Sequence, residues 1–214
     1  MKGFLMLVCF LTSFSAFGQT YFDESNRRIV KEDYEEKILN GPYFGIPADK
    51  EGDMKLVHRM PAGVTDARMI YEKLGLLEEF QKGKPLIVIY YPGKDEWNST
   101  CMGNTPSGLK QRVKTVARYA ENHNAPPPLY IYKNPHGLEK YQGIQKWTAD
   151  PDQLFEKVFF QYPYPCGSFV VISPQGDFRG ILGEYLLSQI DVALKKLYDG
   201  NDSSSTGNQK SHFQ

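Results

Sequence analysis

The chain has 214 residues, with 25 lysines and arginines against 25 aspartates and glutamates, so it carries no net charge and no basic stripe. That balance excludes the electrostatic footprint of a nucleic-acid binder. Aromatic residues at 14% and fourteen prolines argue against a disordered chain, and the length suits one soluble domain with a real core.

Taken from the N-terminus, Lys2 supplies a positive start and Phe4 to Leu11 an unbroken run of apolar or neutral residues. Ala16 and Gly18 are small residues two apart, so residues 1–18 read as a signal peptide cut after Gly18. The run falls short of the ~20 residues a spanning helix needs, and no later stretch is long and apolar enough. The expectation is a secreted or periplasmic protein without stable membrane insertion. Cys9 hints at a lipoprotein, but bulky Val8 stands before it.

Residues 19–82 read as an irregular N-terminal extension. A charged helix is expected over Arg28–Leu39 and a strand over Met54–His58. A second helix is expected from a Thr65 cap through Phe80, with Gly75 costing it ~1 kcal/mol relative to alanine.

From residue 83 the pattern sharpens. Leu86–Tyr91 is a β-branched and aromatic run without alternation, the mark of a strand buried on both faces. Pro92-Gly93 ends it. Thr105-Pro106 offers an N-cap with proline at the first helical position, and Leu109, Val113, Val116, Ala117 and Ala120 share one helix face. Leu129–Tyr132 reads as a second strand. Residues 134–163 form a crossover with helical turns starting near Asp150–Asp152. Ser168–Ile172 and Phe178–Leu182 flank a Ser-Pro-Gln-Gly turn and form a hairpin. A last amphipathic helix carries Leu186, Leu187, Ile190, Ala193, Leu194 and Leu197 and stops at Gly200, before a disordered tail over 199–214. The order implies an α/β fold: a mixed β-sheet flanked by helices on both faces.

Cys9 leaves with the signal peptide, so Cys101 and Cys166 remain, in a compartment where disulfides persist. The residues alone leave two readings open, a bridge or a working thiol pair.

Over residues 83–198 the chain resembles the thioredoxin-like superfamily. The carriers are the buried strand Leu86–Tyr91, then Trp97-Asn98-Ser99-Thr100-Cys101 ahead of a helix, Pro165 before the Ser168–Ile172 strand, and the closing helix. The resemblance implies a Trp-Cys-x-x-Cys loop and a cis-proline at Pro165. Trp97 and Cys101 match that loop, but Asn98 stands where the attacking cysteine belongs, and asparagine is no such nucleophile. The family's buried acidic residue falls at about Ile89, which is apolar. Tyr90-Tyr91-Pro92-Gly93-Lys94-Asp95 before Cys101 is more weakly similar to peroxiredoxins. There Asn98 replaces the required threonine, and Cys166 and Gly167 lie where an arginine is needed.

The resemblance brings the Cys166 loop against the start of the first long helix. It therefore implies a Cys101–Cys166 disulfide, structural or working, which in the chain-entropy model stabilises by ~4 kcal/mol. Some copper carriers of this fold pair loop cysteines with a distant histidine. His136 is the nearest candidate, but it reads as a turn residue beside Pro135 and Gly137, so no metal and no other cofactor is expected. Tyr162-Pro163-Tyr164-Pro165 lies on the face that grips extended peptides in this fold, or packs the crossover onto the domain. The expected function is a non-catalytic module that binds or supports a protein or peptide partner in the cell envelope. The alternative is a thiol oxidoreductase or weak peroxidase using Cys101, with Cys166 as resolving thiol.

Overall fold

The computed structural model describes residues 19–94, 105–162, 164 and 166–202, and of 199–202 the backbone. The expected signal peptide at 1–18 and the tail beyond 202 lie outside the described residues. The chain divides into two compact units, Met1–Val57 and His58–Gln214.

The first unit holds β1 (Tyr21–Phe22), β2 (Arg28–Ile29), α1 (Lys31–Asn40), β3 (Tyr43–Pro47) and β4 (Met54–His58), with sheet order β2-β1-β4-β3. The helix expected from Arg28 begins at Lys31 instead, because Arg28 and Ile29 pair with Phe22 and Tyr21 in a hairpin. Asp23 builds that turn. Its Oδ1 accepts from the Ser25 and Arg27 amides at 2.9 and 2.8 Å, and its Oδ2 from Arg27 Nε at 2.8 Å. These bonds, the Arg27 amide first, hold the carboxyl below its ordinary value. Tyr34, the buried residue of α1, packs against the Tyr21 ring at 4.7 Å and abuts Gly45, where any Cβ would collide with it.

In the second unit come β5 (Ala62–Val64), α2 (Ala67–Lys73), α3 (Leu77–Gln81), β6 (Leu86–Tyr91), α4 (Pro106–Asn122), β7 (Leu129–Tyr132), β8 (Thr148–Ala149), α5 (Leu154–Val158), β9 (Ser168–Ile172), β10 (Asp177–Ile181) and α6 (Ser188–Asp202). The six strands lie in the order β5-β10-β9-β6-β7-β8. All six residues of β6 are buried, as a two-faced central strand requires. α4 carries the chain from β6 to its parallel neighbour β7, while β9 returns antiparallel on the other side, with Val88 opposite Val170. A parallel pair joined by a helix, an antiparallel hairpin and a closing helix are the mixed sheet and flanking helices expected from the sequence, a thioredoxin-like arrangement.

Alternation along the strands sorts the core into two faces. Ile87, Ile89, Phe169, Val171 and Ile181 point to one cluster with Val116 and Ala120 of α4 and Ile190, Leu194 and Leu197 of α6. Tyr90 points the other way and stacks on Phe160 at 4.4 Å, while Phe159 meets Phe178 edge-on at 4.9 Å.

Four local readings are corrected. The helix expected over Thr65–Phe80 is two helices, parted at Gly75, whose φ of +69° is left-handed. Its cap is Asp66, whose Oδ1 accepts from the Met69 amide at 3.0 Å, not Thr65. Thr65 is engaged elsewhere: its amide donates to the Gly176 carbonyl at 2.9 Å, fastening β5 to the β9–β10 turn. α6 runs through Gly200 to Asp202, past its expected stop, since one glycine costs a helix only ~1 kcal/mol. Residues 59–64, read from sequence as part of the extension, thus continue the main sheet.

Candidate functional site

Trp97, Asn98, Cys101 and Pro165, with the expected cis bond before Pro165, lie outside the described residues. Cys166 is described, and so are both approaches to the 95–104 loop. On entry, Lys94 N donates to the His136 carbonyl at 3.1 Å, and Tyr91 Oη donates to the same carbonyl at 3.0 Å. On exit, Thr105 Oγ1 accepts from the Gly108 amide at 3.2 Å, the N-cap expected for α4. The register Tyr90–Ser168 puts Cys166 two residues beyond the end of the β6–β9 ladder, at the end of β6 from which that loop departs.

Cys166 is 4% exposed, has a left-handed φ of 75°, and is disulfide-bonded; its partner lies outside the described residues. Its Sγ stands 3.5 Å from Glu184 Oε1. A half-cystine has no proton to donate, so this contact becomes a hydrogen bond only on reduction.

The loop around Cys166 is held by residues the sequence did not single out. Arg59 Nη2 donates to the Glu184 carbonyl at 2.8 Å and Arg59 Nε to the Leu182 carbonyl at 3.3 Å. The guanidinium then lies 5.1 Å from the Tyr164 ring centroid, over its face. Beneath the same ring is Gly183, where a Cβ would run into Tyr164. Ser168 Oγ accepts from the Gly183 amide at 2.9 Å and joins this segment to the start of β9. Tyr164, half-buried, is thereby packed against Arg59 and Gly183 of its own domain. Arg59 carried no motif, and its reach of more than a hundred residues is invisible in sequence.

Ile89 is 1% exposed and lies in the apolar cluster between sheet and helices, as expected where the resemblance would have an acid. His136 sits in a turn, its amide bonded to Asn134 Oδ1 at 2.9 Å. Among the described residues no three histidine, cysteine or acidic side chains group to hold a metal, and no helix is long and apolar enough to cross a membrane.

No family model and no curated protein matches the chain. Among solved structures it is similar to the one titled as MTB DsbF in its mixed oxidised and reduced forms, at 15% identity and a TM-score of 0.33, over 54% of this chain and 81% of that one.

Proposed function

We propose that this is an exported protein of thioredoxin-like fold with a degenerate redox loop, whose work is to bind or support a protein partner in the cell envelope. Cys166 is bridged to Cys101 in this reading, and the bridge is structural. The observation that carries it is the burial of the bridged Cys166. Exposed disulfides are the readily reduced ones, whereas this half-cystine is 4% exposed. Asn98 in place of an attacking thiol points the same way, since a single thiol at the loop has no neighbour there to resolve a mixed disulfide.

The rival reading, a thiol oxidoreductase or weak peroxidase, draws on Glu184. Reduced Cys166 would have a carboxylate 3.5 Å away to accept its proton before it attacks a mixed disulfide at Cys101. Turnover separates the two. Purified protein and its Cys101→Ser variant are compared in insulin reduction with a dithiol donor and in peroxide reduction. The expected result is no Cys101-dependent rate, and exchange activity appearing when Asn98→Cys restores the missing thiol. Cys101-dependent turnover in the natural sequence would establish the rival.

A further inference from the structure

β5 ends the six-stranded sheet, and its outer edge is open. The Arg59 and Pro61 carbonyls and the Thr65 amide all turn inward, to β10 and the turn before it. Backbone groups alternate sides along an antiparallel strand, so the N–H and C=O of Ala62 and Val64 turn outward. Among the described residues nothing pairs with them, and all three residues of β5 are exposed, Val64 at 75%. Such a row of free donors and acceptors is a template for one more strand.

The space beside that edge is shaped and charged. α6 packs on β9 and β10, and its flank borders a groove of about 190 Å³ next to β5. Ala62, Val64, Asp177 and Arg179 line it from the sheet, and Lys196 and Leu197 from the helix. Val192, one turn before Lys196 and 46% exposed, continues the helix wall. The groove takes a side chain or two and falls short of the ~300 Å³ at which small-molecule sites begin. Among the described residues neither Arg179 nor Lys196 makes an ion pair. Two cations against Asp177 leave the groove positive.

We propose that this edge and groove are a docking site for an extended, acidic segment of a partner protein. The segment adds to β5 as a further strand and drops alternate side chains between β5 and α6. The site rests on the partner-binding reading above and adds to it a surface and the chemistry of the partner. A second copy of the chain would bring the same two cations against its own, whereas an acidic segment neutralises them.

The probe is a displayed library of random ten-residue peptides selected on the mature protein, with the best binders then made as free peptides. Binders are expected to alternate apolar and acidic positions and to slow exchange of the Ala62 and Val64 amides at least tenfold. Val64→Pro removes one outward N–H and leaves the β10 ladder intact, so it should weaken binding roughly tenfold. Lys196→Glu, on the exposed flank of α6, should weaken it as much, and a peptide with its acidic residue changed to lysine should regain the loss. That charge swap reads the site even if Val64→Pro fails to fold. No selected peptide, unprotected amides, or binders indifferent to both substitutions would overturn the site. Indifferent binders would leave partner binding standing at another surface, whereas Cys101-dependent turnover defeats the partner-binding reading itself. A dimer that Val64→Pro dissolves would give the edge to a second copy and overturn the proposal too.

Discussion

At Gly183 two constraints meet on one residue. Its φ of +76° is left-handed, and the Tyr164 ring occupies the place of a side chain. Gly183→Ala is therefore expected to destabilise by more than about 1 kcal/mol in urea melts, and to speed reduction of the Cys166 bridge by loosening the Tyr164 packing. Its neighbour Glu184 acts through charge. When reductant attacks the partner sulfur, Cys166 leaves as a thiolate facing the carboxylate 3.5 Å away. Two like charges at that distance in water repel by ~1 kcal/mol, so Glu184→Gln should speed reduction by dithiothreitol roughly fivefold. An unchanged rate would show that the carboxylate does not bear on the sulfur. Cys166 was legible in the sequence because a cysteine beside a loop proline is chemically conspicuous. Arg59 and Glu184 were not, since ordinary surface residues gain meaning only from a long-range pairing.

At the scale of elements, strands and helices whose pattern is decided by burial were legible. β6, β7 and α4 fall where continuous or helical apolar spacing put them. The α2–α3 region was misread because its apolar spacing survives the break, so only the left-handed Gly75 reveals it. α4 and α6 are joined at a point no spacing announces: Asp191 Oδ1 lies 2.8 Å from His123 Nε2, and Oδ2 accepts from Lys195 Nζ at 2.6 Å. The Lys195 and then the His123 hydrogen bonds hold the Asp191 carboxyl below its ordinary value. A lowered carboxyl stabilises the fold fully above the ordinary aspartate value of about 4 and loses that contribution as pH falls through the lowered value. Asp191→Asn is thus expected to cost about 1 kcal/mol at pH 7, with the gap to the unaltered protein closing under acid. Denaturant melts at pH 7 and pH 3 check this; a gap that stays constant would contradict it.

Over the whole molecule, a mixed sheet with flanking helices was inferable from the sequence of strand, helix, strand and hairpin, because connection rules leave few alternatives. The role of residues 59–64 was not. Their pairing with β10, through the Gly180 and Leu182 amides to the Pro61 and Arg59 carbonyls at 2.8 Å, depends on an edge that the sequence of β10 does not advertise. That added edge matters to the site, for it is how Arg59 comes to lie over Tyr164. The proposed function requires the Cys166 bridge to be a structural staple and not a working pair. Its reduction potential measures that directly, by equilibrating the mature protein in defined dithiothreitol or glutathione buffers and trapping free thiols for mass analysis. A structural staple should have a potential below about −300 mV, with Cys101 and Cys166 alkylated together, whereas a bridge opening near −200 mV in a glutathione buffer would contradict it.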